Sequence, residues 1–146
     1  MQNTFKKTLL ATAAASLIAG AAHADIKVGV ILGFTGPIES LTPAMADSAE
    51  LAFDEASNSG LLLGGDSIVS VRGDSTCVDA AAATAAAERL VNSDGVVAIM
   101  GADCSGVTGA IAKNVGAPNG VAMISPSATS PGLTSIDDNG VFFRTA

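Results

Sequence analysis

The sequence contains no tryptophan and no tyrosine, only five phenylalanines, and a single histidine, His23. Such scarcity of aromatics leaves little with which to stack bases or sugar rings, and counts against nucleic-acid platforms and aromatic carbohydrate grooves. Positive charge is also in short supply. Seven Lys plus Arg stand against 14 Asp plus Glu, a net charge of −7, which argues against the clustered basic surface that binding to a phosphate backbone requires. The composition of a disordered chain is missing too, since 49% of residues are hydrophobic and only 14% charged. A chain of 146 residues has room for one small domain or a piece of a larger one.

What is present begins with a routing pattern. Lys6 and Lys7 precede an uncharged apolar run from Leu9 to Ala22, and Ala22-His23-Ala24 stands just before Asp25. This is the form of a secretory signal peptide over residues 1–24 with an A-x-A cleavage site. The run is shorter than the roughly 20 residues a membrane-spanning helix needs, so export with cleavage is expected, an uncleaved anchor being the alternative. Cleavage leaves five basic residues (Lys27, Arg72, Arg89, Lys113, Arg144) against fourteen acidic ones, a net charge of −9, and no histidine. Histidine bases, His-ligated zinc and Ser-His or Cys-His nucleophile pairs are then unavailable. In an oxidising compartment Cys77 and Cys104 read as a disulfide more readily than as a metal or catalytic site, with free buried thiols as the alternative.

After Asp25 apolar strands alternate with helical segments. Ile26–Leu32 is β-branched and apolar, a buried strand ending at Gly33. A helix is predicted from Thr42 as N-cap with Pro43 at its first position, carrying Met45, Ala49, Ala52, Phe53 and Ala56 on one face and ending at Gly60. Ile68–Arg72 is a second strand with Asp74 just beyond it. A second helix spans residues 79–93, with Ala83, Ala87, Leu90 and Val91 on its apolar stripe and Gly95 past its end. Val96–Met100 is a third strand, and Val107, Ile111 and Val115 mark a third helix ending near Gly116 and Pro118. A fourth strand over residues 120–124, a polar loop over residues 125–139 with one helical turn, and a fifth strand over residues 141–143 complete the pattern. Repeated strand–helix–strand units imply an α/β fold with a parallel sheet flanked by helices on both faces. Ligands of such sheets bind outside the carboxyl ends of the strands. Here those ends are residues 33–41, 73–77, 101–106 and 125–130.

Three motifs at these ends bear on chemistry. The turn Gly33-Phe34-Thr35-Gly36 lacks the G-x-G-x-x-G and G-K-S/T patterns of phosphate loops, so no nucleotide cofactor is expected. Ala102-Asp103-Cys104-Ser105-Gly106 resembles an elbow presenting a nucleophilic cysteine, but no base or nearby cation would hold the thiolate, and pairing with Cys77 accounts better for Cys104. Ser105 stands where a helix begins; its hydroxyl either caps that helix or joins the free N–H groups in holding an anion. Residues 125–131, Ser-Pro-Ser-Ala-Thr-Ser-Pro, offer a second cluster of hydroxyls and backbone groups. Together the two suit a small zwitterion such as an amino acid, held by dipoles and hydroxyls.

Four stretches in order carry a family resemblance. They are Ile26-Lys27-Val28-Gly29 leading to Gly36-Pro37; Asp74-Ser75-Thr76-Cys77; residues 101–105 with the second cysteine; and residues 123–131, Met-Ile-Ser-Pro-Ser-Ala-Thr-Ser-Pro, with Phe143-Arg144-Thr145 near the end. On these the chain resembles the periplasmic solute-binding proteins of branched-chain amino-acid ABC transporters, of the bilobal type I periplasmic-binding fold. The resemblance implies a partial first lobe over residues 25–146 with the second lobe missing, and a bridge between Cys77 and Cys104. It further implies that Ser105 and Thr129 hold the ligand's carboxylate and amino groups, with backbone help from Ser127 and Ala128, in a non-enzymatic periplasmic protein that delivers a small solute to membrane permease subunits. Leu41 stands where members often have an aromatic residue, and Val78-Asp79 where they often have an acidic residue and proline, so other amino acids, amides or urea are also open as ligands. A sensor domain of the same fold and an exported thiol-dependent hydrolase are the alternatives.

Overall fold

A computed structural model describes residues 25–146; the signal peptide expected over residues 1–24 lies outside the described residues. β1 (Asp25–Leu32), β2 (Ser67–Asp74), β3 (Ala98–Gly101), β4 (Ala122–Ser125) and β5 (Phe142–Arg144) form one sheet in the order β2-β1-β3-β4-β5, every neighbouring pair parallel. The chain steps from β1 outward to β2, then returns across β1 to β3. The strand order therefore reverses between β1 and β3, the place where an open parallel sheet leaves a crevice at its carboxyl edge.

Helices cover the two faces unequally. α2 (Ala80–Arg89) and α3 (Ser105–Ile111) pack on one face, where Ile31, Ile99 and Met123 from the strands meet Ala83, Ala87, Leu90, Val107, Ile111 and Val115. α1 (Thr42–Asn58) packs on the other against Val30 and Leu32, through Ala46 with Met45 and Phe53 beside it. Arg72 of β2 ties down α1 by pairing with Glu50 at 2.6 Å and Asp47 at 2.7 Å, its guanidinium 5.5 Å from the Phe34 ring centroid. Beyond α1, the same face leaves a groove of about 290 Å³ open to solvent, lined by Val28, Ala98, Met100, Ile124 and Phe143. No helix of the described residues is long and apolar enough to cross a membrane.

The alternation of elements matches the sequence pattern, while several boundaries move for local reasons. Thr42 is the first residue of α1, not its cap; it is buried, and its hydroxyl donates to the Gly33 carbonyl at 3.1 Å, which seats the helix against the end of β1. The buried stripe of α1 includes Ala46, while Ala52 faces solvent. Asp79 caps α2 by accepting from the Ala81 and Ala82 amides at 2.9 and 3.0 Å. The α-helix then stops at Arg89 and gives way to a π-turn over Leu90–Asp94, closed by the Val96 amide on the Leu90 carbonyl at 3.0 Å. Val96 is spent on that closure, so β3 starts at Ala98. A second π-turn, Ala112–Gly116, extends α3 into the short Ala117–Asn119 helix, which ends at left-handed Gly120 and not at Gly116 or Pro118.

Candidate functional site

Four loops meet at the carboxyl edge of the sheet, and Asp103 sits among them. It follows β3, and only 4% of it is exposed. One carboxylate oxygen accepts from the Gly33 amide after β1 at 2.9 Å. The other accepts from the Ser75 hydroxyl after β2 at 3.2 Å and from the Cys104 amide at 3.0 Å. Its main-chain carbonyl accepts from the Ser127 hydroxyl after β4 at 3.0 Å. A buried carboxylate is tolerable when donors surround it, since an unsatisfied one would cost several kcal/mol.

Cys77 and Cys104 form a disulfide. The bridge joins the loop after β2 to the residue immediately before α3. Thr76 and Cys77 both occupy left-handed backbone, at φ +56° and +68°, and the Thr76 amide donates to Asp74 at 2.8 Å. Asp74 also receives the Thr35 hydroxyl at 2.6 Å and the Thr35 amide at 3.2 Å, joining the β1 and β2 loops a second time. Gly36 is required in this arrangement, because at φ +97° a Cβ there would stand 2.5 Å from the Thr76 carbonyl oxygen.

Burial pushes the Asp74 carboxyl up, but hydrogen bonds from the Thr35 hydroxyl and from the amides of Thr76, Thr35 and Phe34 outweigh it and hold it below its ordinary value of 3.8. A carboxyl lowered in the folded state contributes stability that is present above its unfolded pKa and is lost as pH falls through the folded one. Urea midpoints of the wild type are therefore expected to drop below about pH 4 more steeply than those of Asp74→Asn. Parallel acid limbs in the two proteins would contradict this coupling.

The structure brings Ser105 and the residue 125–131 loop together. Cys104, not Ser105, occupies the N-cap of α3, and no side chain caps this helix. The Ser105 hydroxyl accepts from the Ser130 amide at 3.0 Å, which leaves its own proton to donate. Thr108 is the first residue of α3 to bond back to a preceding carbonyl, that of Cys104 at 3.0 Å, so the Ser105, Gly106 and Val107 amides precede the helical ladder. Thr129 is exposed, and its hydroxyl bonds to no other described residue. The Ser127 hydroxyl is already committed to Asp103. Ala128 is buried; its amide donates to Ser125 Oγ at 3.0 Å, and its carbonyl accepts from Arg144 at 3.1 Å.

Arg144 and Asp103 carry no sequence signal that marks them as site residues on its own. The Arg144 guanidinium grips the loop from below, donating to the Ala128 and Ser130 carbonyls at 3.1 and 2.7 Å and to the Thr134 hydroxyl at 2.6 Å. The signal that could have found Asp103 is a carboxylate between a buried strand and a helix start, with no cation near it in sequence. The result is a preorganised, largely uncharged shelf of hydroxyls and main-chain donors and acceptors, suited to holding a small polar solute.

Over residues 25–146 the sequence matches the family described as periplasmic binding protein. A Leu/Ile/Val-binding protein of Rhizobium johnstonii is 37% identical over 129 residues, which cover 88% of this chain and 34% of that protein. A Leu/Ile/Val/Thr-binding protein of Salmonella typhimurium is 36% identical over 130 residues, again 88% of this chain and 34% of the relative. Among solved structures, the branched-chain amino acid transporter substrate-binding protein of Streptococcus pneumoniae, in complex with isoleucine, superposes with a TM-score of 0.73 at 32% identity, covering 83% of this chain and 33% of that one. The chain thus spans about a third of the length of the relatives it matches.

Proposed function

This chain belongs to the periplasmic binding protein family, and from that premise we propose that residues 25–146 are part of the first lobe of a two-lobed receptor that captures a branched-chain amino acid in the periplasm and hands it to the permease subunits of an ABC transporter. The observation that carries this reading is the Ser130–Ser105 hydrogen bond at 3.0 Å, which sets the start of α3 and the hydroxyl loop after β4 side by side at the carboxyl edge of the sheet, beside the β1–β3 point where the strand order reverses. The α3 amides and the Ser105 hydroxyl suit a carboxylate; the exposed Thr129 hydroxyl and loop carbonyls suit an ammonium group. Both cysteines are consumed in one bridge. The thiol nucleophile on which a hydrolase reading depends is therefore not free, and the chemistry proposed is binding without reaction. The family's periplasmic location and relatives that bind leucine, isoleucine and valine support the compartment and the ligand class.

A shelf with one wall holds a solute poorly, because small-ligand sites normally bury most of the ligand surface. Isothermal titration of isoleucine is expected to show saturable binding to the two-lobed protein and none at micromolar concentration to residues 25–146 alone. Ser105→Ala and Thr129→Ala in the two-lobed protein should each weaken binding by about tenfold or more, the ordinary effect of removing a hydrogen bond to a charged group. Isoleucine, leucine and valine all failing to bind the two-lobed protein would overturn the reading. So would affinities untouched by both substitutions.

A further inference from the structure

We infer that Asp103 is the positioning residue of the solute site: without touching the solute, its buried carboxylate sets where the Gly33 loop and the start of α3 stand relative to each other. The inference rests on the proposed function for its binding readout and on geometry for the rest.

The two oxygens of the carboxylate face different donors. The oxygen turned to Gly33 meets one N–H, at 2.9 Å. The oxygen turned the other way meets the Ser75 hydroxyl and the Cys104 amide, at 3.2 and 3.0 Å. All three groups donate, so only a side chain that accepts on both sides satisfies them, and the Asp103 side chain is of the size and shape to do so. Among the described residues no cation pairs with it; the ion pairs formed are those of Arg72 and Arg89. Compensation comes from oriented dipoles, including the amide that leads into α3, and that compensation fails if the donors move apart. The carboxylate therefore behaves as a clamp on three chain segments far apart in sequence. The Ser127 hydroxyl on its carbonyl, at 3.0 Å, brings in a fourth. Space is tight around it: a Cβ on Gly33 would lie 3.3 Å from the carboxylate and 3.2 Å from the Cys77 Cβ. Neither the disulfide nor Ser105 can shift independently of this point, since Cys104 joins them.

Asp103→Asn is the discriminating variant, because it keeps size and shape while turning one acceptor into a donor. Its amide oxygen is expected to stay with Ser75 and Cys104, placing NH₂ against the Gly33 N–H. Amide hydrogen exchange and ¹H–¹⁵N spectra of residues 25–146 should then show Gly33 exchanging about tenfold faster or more, with the amides of α2 and β5 unmoved. In the two-lobed protein isoleucine affinity should fall about tenfold or more. Gly33 exchange equal to wild type overturns the inference whether or not isoleucine is the solute. If wild type binds isoleucine and the variant binds equally well, the inference falls and the proposed function stands. If wild type binds none, the proposed function fails and the exchange rates alone decide the clamp. Should Asp103→Asn not fold, Ser75→Ala removes one buried donor away from the shelf. It is expected to shift the Cys104 amide resonance and weaken isoleucine binding roughly threefold, a net loss in the range of one hydrogen bond. An unmoved Cys104 resonance with unchanged affinity overturns the inference there.

Discussion

Gly101→Ala is expected to be the most destabilising single substitution in the sheet. Gly101 pairs with Ile31 across the β1–β3 seam and adopts φ +130°, where a Cβ would lie 2.0 Å from the Ile31 carbonyl oxygen and 3.0 Å from its carbonyl carbon. Both obstacles are main chain, so no rotamer change relieves them, and the remaining way out is to part the two strands at the point where the strand order reverses. The expected cost is about 4 kcal/mol or more, against a total stability of about 5–15 kcal/mol for a domain of this kind. Gly95→Ala is the control. Gly95 also has positive φ, +75°, but nothing lies within 4 Å of a Cβ there, so it should lose only about 1–2 kcal/mol from backbone conformation. Urea unfolding of the two variants gives the comparison. Equal losses would show that the close approach to Ile31 has no energetic weight.

Reduction of the Cys77–Cys104 bridge, or its removal by Cys77→Ser with Cys104→Ser, is the second large effect expected. The bridge closes a span of 27 positions, for which loop-closure entropy gives about 3–4 kcal/mol. It also supports the two left-handed residues Thr76 and Cys77, a conformation that side chains other than glycine disfavour by about 1–2 kcal/mol per residue. Scanning calorimetry of residues 25–146 is expected to show Tm lower by roughly 10–15 °C once the bridge is gone. A change of under about 3 °C would mean that the Asp103 and Asp74 hydrogen bonds hold the same loops without the bridge.

The parallel architecture was legible because its causes are local. β-branched runs such as Ile26–Leu32 alternate with helical stripes such as Ala83, Ala87 and Leu90, and Gly95 and Asp79 punctuate them as helix termini do. The convergence of Ser105 with the residue 125–131 loop was legible for a related reason: both follow strands that a parallel sheet must end at one edge. What stayed hidden depends on partners distant along the chain. Thr42 has the composition of a cap, yet its hydroxyl turns to Gly33, because the helix is docked against the loop after β1. Ala46 and Ala52 are indistinguishable by residue type, and which side of α1 docks on β1 buries the first and exposes the second. The π-turns that extend α2 and α3 leave no mark in residue propensity; the first is fixed by the Val96 amide reaching back to Leu90. Asp103 reads as an ordinary polar turn residue until Gly33, Ser75 and Ser127 are brought around it from three other loops.

The groove beside α1 bears on how this polypeptide associates with itself. Ile124 and Phe143 remain 45% and 58% exposed in it, on a sheet of a kind that is ordinarily sheathed on both sides. Residues 25–146 thus complete their internal scaffold while still presenting an apolar strip to solvent. Any clumping of residues 25–146 is therefore expected to begin at this apolar strip and not at the polar shelf of Ser105 and residues 125–131.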